Sequence, residues 1–228
     1  SVWKIVTALA GMESGKFPVE TKLETSPCIV YGSQCFREHN DEGFGLIGYE
    51  EALEVSSNTF FYQIGYGVGV DEINRIAKIL GFNELSGIEI GDQEDQGLIA
   101  SSEWAKNGRG WGKPGKTPWL PEDIASMSIG QMVVQVTPIQ IARAYAVIAN
   151  GGYLVTPHLS KLAKENSSYK QPIKVDIEPI HLQVIKNGLS KAVQSGTGVS
   201  INYGSNNFPP IAGKTGTAED VLGGPDHA

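Results

Sequence analysis

Ser1 and Lys4 stand three residues apart at the head of an apolar run. On a helix that spacing places both on one face. A serine hydroxyl is a weak nucleophile at neutral pH and needs a base beside it. A lysine can be that base if burial or a nearby positive charge lowers its pKa. The start of a helix also offers backbone N–H groups without intrahelical partners. A second group is Ser56-Ser57-Asn58, in which a hydroxyl and an amide stand two apart. Such a hydroxyl can relay a proton, and the amide can hold a substrate amide through its paired donor and acceptor. A third is Lys214-Thr215-Gly216-Thr217, a lysine and two hydroxyls that could bind a carboxylate. Taken singly, each is weak: the first reads as an ordinary helix start with a solvated lysine, the second as a helix cap.

Two further groups carry ligand types. Cys28, Cys35 and His39 follow a C-x6-C-x3-H spacing. The cysteine pair suits a disulfide, two free thiols or, with the histidine, three zinc ligands. A disulfide across a hairpin is the preferred reading. Glu103 and Asn107 stand in an E-x-x-x-N arrangement that reads as coincidence. His158, His181 and His227 have no partner pattern and read as surface or packing residues.

The elements that must position these groups follow from periodicity and punctuation. Val2, Ile5, Val6, Leu9 and Met12 recur at helical spacing, so residues 1–14 form a helix that Gly15 stops. Residues 26–48 read as loop and hairpin. A short helix over Tyr49 to Val55 leads to the polar break at Ser56-Ser57-Asn58, and another helix runs from Thr59 to about Gly65. Asp71 to Leu80 is amphipathic, capped by Asp71 and stopped by Gly81. Residues 86–122, rich in Gly, Pro and polar residues, look like a long surface excursion. Thr137 caps a helix with Pro138 in its first turn, ended by Asn150-Gly151-Gly152. A helix near 178–195 precedes Gly196-Thr197-Gly198, and residues 210–218 read as a strand of small residues. On a strand Lys214 and Gly216 would face one side, Thr215 and Thr217 the other. Small residues there would let a ligand backbone lie close.

The chain has 228 residues, 40% of them hydrophobic, enough for a large core. The net charge of −7, without a Lys/Arg run, argues against nucleic acid as a partner. No apolar run approaches the roughly 20 residues that cross a bilayer. The chain opens on Ser1 rather than Met and ends on Gly-Gly-Pro-Asp-His-Ala without a closing element. The expectation is therefore an excised segment of a longer protein.

The three triplets occur in the order S-x-x-K, S-x-N, K-T-G, the signature set of penicillin-binding proteins and class A β-lactamases. The text around them, SVWKIVTALAGMESG, VSSNTFFYQIGYGVGVDEI, SIGQMVVQVTPIQIARAYAVIANGG and IAGKTGTAE, resembles class B penicillin-binding transpeptidase domains. Phe60-Phe61-Tyr62-Gln63 after the Asn resembles the elongation type, penicillin-binding protein 2-like. The resemblance implies an α+β fold of the β-lactamase/transpeptidase kind. That fold has an antiparallel sheet flanked by helices and a mostly helical subdomain, here roughly 16–130, with the α/β part roughly 1–15 and 131–228. Several sheet strands would be missing at both ends, so the isolated segment is expected to be poorly stable or inactive.

The resemblance also implies roles. Ser1 would attack the carbonyl between two D-alanines of a peptidoglycan stem peptide, and Lys4 would take its proton. Ser56 would shuttle a proton and Asn58 would orient the stem. Lys214 would supply positive potential, Thr215, Gly216 and Thr217 would hold the terminal carboxylate, and the N–H groups of Ser1 and Thr217 would form an oxyanion hole. The implied partners are stem peptides, lipid-linked precursor, β-lactams and a membrane glycosyltransferase. The implied place is the periplasmic face of the cytoplasmic membrane, through an anchor outside this chain. No cofactor is required. Some elongation-type relatives hold zinc near the site through a Cys between the Ser and Asn of the second triplet; Ser57 stands there here. The rival readings are a serine β-lactamase, a β-lactam sensor, expected to lack the 86–122 excursion, and a hydrolase using the α-amine of Ser1.

Overall fold

The computed structural model describes residues 1–106, 119–132, 134–160, 170–201 and 209–216. At its centre lies α1 (Lys4–Glu13), in which every residue from Lys4 to Met12 is buried. A helix apolar on all sides must be enclosed on all sides, and α1 packs against later helices around most of its circumference. It starts later than the periodicity implies. Ser1–Trp3 form the preceding turn, with Lys4 N donating to Ser1 O at 3.2 Å and Val6 N to Trp3 O at 2.8 Å. Gly15, at φ +69°, ends the run.

The segment read as loop and hairpin is two nested antiparallel pairs. The strands β1 (Leu23–Thr25) and β4 (Gly45–Ile47) enclose the hairpin of β2 (Cys28–Tyr31) and β3 (Gln34–Arg37). Val30 pairs with Cys35 and Cys28 with Arg37, so both cysteines share one face and lie diagonally across the ladder. Phe36 points the other way and meets Tyr31 and Tyr62, with ring centroids 5.9 and 5.5 Å away.

Next come α2 (Tyr49–Glu54), α3 (Asn58–Val68) and α4 (Val70–Ile79). The second of these is longer than expected at both ends, and Ser57 caps it by accepting from Phe60 N at 3.2 Å. Gly69, not Asp71, precedes α4; Asp71 lies in its first turn, where a carboxylate still meets the positive helix end. Gly81, at φ +83°, stops α4 as expected.

The excursion over 86–122 is surface only in part. Leu98–Ile99 form β5, and Ile99 and Ala100 join the core. Short helices α5 (Ser102–Lys106) and α6 (Pro121–Ser128) follow. An apolar Leu-Ile-Ala inside a Gly-rich polar stretch is too short to show periodicity. The strand β5 pairs with β6 (Val134–Gln135). Helix α7 (Pro138–Ala149) begins as read: Thr137 and Gln140 cap each other reciprocally, at 3.3 and 3.0 Å. The Gln140 side chain then donates to Glu84 O and Gln96 O, both at 2.9 Å, fixing the excursion to this helix start. A last pair joins β7 (Tyr153–Leu154) and β8 (Ile173–Lys174), and α8 (Pro179–Gln194) covers α2 and α1.

The architecture is mixed helix and antiparallel sheet, and among the described residues all sheets have two strands. Residues 209–216 are not a strand. A strand needs a ladder partner for its N–H and C=O groups; here Gly213 N donates instead to Leu189 O of α8 at 3.0 Å.

Two glycines set how closely elements approach. A Cβ at Gly65 on α3 would run into Ser128 on α6. Gly130, at φ +81°, lies against the Cβ and Cγ of Trp3. Gly130→Ala is expected to lower stability by about 2 kcal/mol, combining a left-handed backbone with a rigid neighbour. Thermal unfolding measures this; an unchanged midpoint would refute the close approach.

Candidate active site

Three separate stretches deliver the three triplets to one cavity of about 650 Å³. The turn before α1 presents Ser1, and the first turn of α1 carries Lys4. The break between α2 and α3 carries Ser56 and Asn58. The segment held to α8 through Gly213 carries Lys214, Thr215 and Gly216. Ser1 Oγ lies 2.9 Å from Ser56 Oγ. Lys4 Nζ donates to Ser56 O at 2.6 Å, Asn58 Oδ1 at 2.7 Å and Ser56 Oγ at 3.2 Å. Lys214 Nζ reaches Ser1 Oγ at 3.4 Å and Thr215 Oγ1 at 3.3 Å. Among the described residues, the partners of the Ser1 hydroxyl are thus Ser56 and Lys214. Lys4 reaches it through Ser56 rather than directly.

Each side chain is held by its local backbone. Ser56 sits at φ +58°, unusual for a residue with a Cβ. That conformation lets Ser57 N close onto Ala52 O at 2.9 Å and turns the Ser56 carbonyl to Lys4. Tyr145 OH of α7 donates to Val2 O at 3.1 Å, and Thr7 Oγ1 to Ser128 O at 2.6 Å. The helix that starts at Thr137-Pro138 therefore braces the residue next to the serine.

Lys4 is 2% exposed. Burial first, and then the charge of Lys214, push its pKa well below the ordinary lysine value, while Glu38 opposes the shift. Lys214 is lowered to about 8, through burial. The α-amino group of Ser1 donates to Ile129 O at 3.3 Å and is lowered to about 5, by burial and then by Lys4 and Lys214.

The third triplet departs from strand alternation. Lys214 Nζ, Thr215 and Gly216 all lie at the site, because the segment has no regular pleat. Thr215 Oγ1 lies 2.8 Å from Thr197 Oγ1, a residue read only as part of a helix stop. Thr217, and with it the second oxyanion donor, lies outside the described residues. So does Asn107; Glu103 is exposed on α5 and does not line the cavity.

Cys28 and Cys35 are joined in a disulfide, as preferred from the hairpin reading. Their sulfurs are then not thiolates and cannot serve as zinc ligands. The remaining member of the zinc set, His39, uses Nε2 on Val55 O at 2.6 Å. With both cysteines in the disulfide and His39 on a backbone carbonyl, the donor set Cys28, Cys35 and His39 does not fit zinc. Among the described residues, no group of three His, Cys, Asp or Glu side chains converges as a metal site.

Sequence reading missed three contributors. Glu38 is buried and accepts four hydrogen bonds from Ser57, Asn58 and Thr59. Arg37 lines the cavity, and its carbonyl accepts from Asn58 Nδ2 at 3.3 Å. His181, expected to lack a partner, pairs through Nδ1 with Glu13 Oε1 at 2.6 Å and links the ends of α1 and α8. Spacing gives no signal for any of these, since each contact joins stretches far apart in sequence.

A serine flanked by a second hydroxyl, a deeply buried amine and a half-buried lysine has the groups that acyl transfer through a serine ester would use. The family described as penicillin binding protein transpeptidase domain matches residues 1–227, and the chain belongs to that family. It is 32% identical over 190 residues to the peptidoglycan D,D-transpeptidase MrdA of Haemophilus influenzae, covering 81% of this chain and 28% of that protein. A penicillin-binding protein (PBP2) from Helicobacter pylori, solved in complex with MreC, superposes with a TM-score of 0.82 at 26% identity. That match covers 96% of this chain and 39% of the other. Pseudomonas aeruginosa PBP2, crystallised with WCK 5153, gives 0.82 and 26% over 96% of this chain and 50% of its own. The chain thus spans half or less of the length of these relatives.

The disulfide closes a short loop over a sequence separation of 7. Replacing both cysteines by serine is expected to cost about 2 kcal/mol. Thermal unfolding of the double variant, with and without reductant, measures it; reductant should leave the variant unaffected and lower only the parent.

Proposed function

We propose that this chain is the catalytic segment of an elongation-type peptidoglycan D,D-transpeptidase. The observation that carries the reading is the contact of Ser1 Oγ with Ser56 Oγ, with Lys4 Nζ on one side and Lys214 Nζ on the other. A neutral Lys4 has two protons to give and one lone pair. Ser56 O and Asn58 Oδ1 are placed to take the protons, leaving the lone pair for Ser56 Oγ–H. Ser1 Oγ attacks the carbonyl between two D-alanines of a stem peptide. Its proton passes to Ser56 Oγ while the proton of Ser56 passes to Lys4 Nζ. Collapse breaks the amide bond, and the departing D-alanine amine takes a proton back along the same path. An amine of a neighbouring stem then attacks the serine ester, loses its proton by that path, and restores Ser1. These steps balance on the chain's own groups without a metal.

Lys214, with Thr215, Gly216 and Thr217, would hold the terminal carboxylate, and Asn58 at the cavity wall would orient the stem. The cavity lining draws on both parts of the proposed division, the helical part (16–130) and the α/β part (1–15 and 131–228). A β-lactam would be attacked in the same way and would stay as the ester. The H. pylori relative was solved with MreC, and another structural neighbour belongs to a peptidoglycan synthase complex. A neighbour in a synthase complex that coordinates polymerization and crosslinking supports a membrane glycosyltransferase as a partner, and lipid-linked precursor is then the proposed substrate source. The transpeptidase reading also puts the chain on the periplasmic face of the membrane. Among the described residues no helix is long and apolar enough to cross a bilayer.

In the full-length protein, a penicillin should leave a stable mass adduct that Ser1→Ala abolishes. Rapid loss of the adduct would indicate a β-lactamase instead, and a lasting adduct without cross-linking of lipid-linked substrate a sensor.

The acylation rate should follow a bell in pH. It rises as Lys4 loses its proton, because only the neutral amine accepts. It falls above about 8, where Lys214 loses the charge that attracts the carboxylate. Lys214→Arg should remove that fall, since guanidinium stays charged; an unchanged alkaline limb would refute the assignment.

A further inference from the structure

Glu38 is 2% exposed and lies immediately after β3. Among the described residues no cation forms a salt bridge with it. Its charge is met by hydrogen bonds instead. Oε2 accepts from Ser57 Oγ at 2.6 Å, Thr59 Oγ1 at 2.8 Å and Thr59 N at 3.0 Å. Oε1 accepts from Asn58 N at 2.6 Å and His39 N at 3.1 Å. Burial alone would raise its pKa, but the bonds from Asn58, Ser57 and Thr59 outweigh burial and hold it below the usual carboxylate range. It is therefore an anion at neutral pH, seated on the positive end of α3.

The neighbours of Glu38 grip the same break. Glu38 N donates to Pro27 O at 2.8 Å, which ties the base of the hairpin. Arg37 O accepts from Asn58 Nδ2, and His39 meets Val55 O. Three consecutive residues thus hold both ends of Val55–Thr59. Inside that span Ser56 keeps a left-handed backbone, which persists only where surrounding contacts over-determine it.

We propose that Glu38 is a positioning residue for the acylation reaction: its buried carboxylate clamps the start of α3 and so fixes Ser56 and Asn58 against Ser1 and Lys4. This rests on the transpeptidase reading for its consequence in rate. A plain structural cap would stabilise α3 without touching the chemistry, and the two roles separate in their pH behaviour. The charged groups around Lys4 are Lys214, Glu38 and the α-amino group of Ser1, which is an amide wherever residues precede it. Arg37, His39 and Asp41 stand further out on the cavity wall.

The test uses the full-length protein, a penicillin, and acylation followed by mass across pH, with Glu38→Gln and Glu38→Asp. Glu38→Gln should slow plateau acylation roughly 10- to 100-fold, the scale of a small misplacement of reacting groups. Its ascending limb should also move to lower pH, because the negative charge that favours protonated Lys4 is gone. Glu38→Asp should keep the limb in place and recover part of the rate. Wild-type rate in Glu38→Gln, or a rate loss with the limb unmoved, would overturn the proposal. If Glu38→Gln does not fold, Ser57→Ala decides: a several-fold slower rate supports the clamp, and an unchanged rate refutes it. Amide hydrogen exchange at Asn58 and Thr59 gives a reading independent of activity. Faster exchange in the variant supports the clamp even if the wild type forms no adduct, which would sink only the transpeptidase reading; unchanged exchange refutes the clamp.

Discussion

The structure is organised around one buried amine. Lys4 has almost no exposed surface and, among the described residues, no carboxylate in a salt bridge with it, so its ammonium form is strongly disfavoured. What makes the position tolerable is a set of three oxygens from two residues, the carbonyl and hydroxyl of Ser56 and the amide oxygen of Asn58. An unpartnered amine there would cost several kcal/mol. Lys4 therefore dictates the shape of the break between α2 and α3, and that shape includes the left-handed backbone of Ser56. The break in turn cannot be a free loop. It has to be fastened from outside, and Glu38 with its neighbours does the fastening.

The scaffold follows from the same demand. A lysine can be buried this deeply only on a helix enclosed on every side, which is why α1 carries Ile5, Val6, Ala8, Leu9 and Ala10 without a polar face. Enclosure brings in α3, α4 and α8. Close approach then needs small residues at the crossings, as Gly65 against Ser128 shows. Positioning and packing are thus one problem: the elements that fill the core are also those that keep water from Lys4.

Much of the site was legible because its groups are short local patterns. S-x-x-K, S-x-N and K-T-G each sit within four residues, and Thr137 with Gln140 forms a cap readable from spacing alone. The elements resting on strong helical periodicity, α1, α7 and α8, appeared within a few residues of expectation. Missing from the sequence were contacts that bridge distant segments through a single side chain. Glu38 in the stretch Arg-Glu-His-Asn looks like any charged loop residue, and nothing local shows that it faces a helix start about twenty residues on. Glu13 and His181 stand 168 residues apart. Of the strand expected at 210–218, residues 210–216 are not paired for a related reason: small residues permit an extended chain, but only a pairing neighbour, absent among the described residues, makes it a strand.

Two lysines converge on one serine, and composition cannot say which is the base. Position in the protein decides. Lys4 is enclosed by the core, while Lys214 is half-buried on a segment that borders the open cavity. Two ammonium groups this near one hydroxyl repel, so the pair lowers its energy by releasing one proton. Burial and the charge of Lys214 push Lys4 well below the ordinary lysine value. Lys214, lowered to about 8, lies beside Ser1 Oγ, where the proposed reading puts the anionic substrate end. In the proposed reaction, the division of labour between base and carboxylate anchor would come from a difference in burial between two identical side chains. The same difference explains the route through Ser56. A base set back inside the core cannot meet the nucleophile directly and needs one hydroxyl in between.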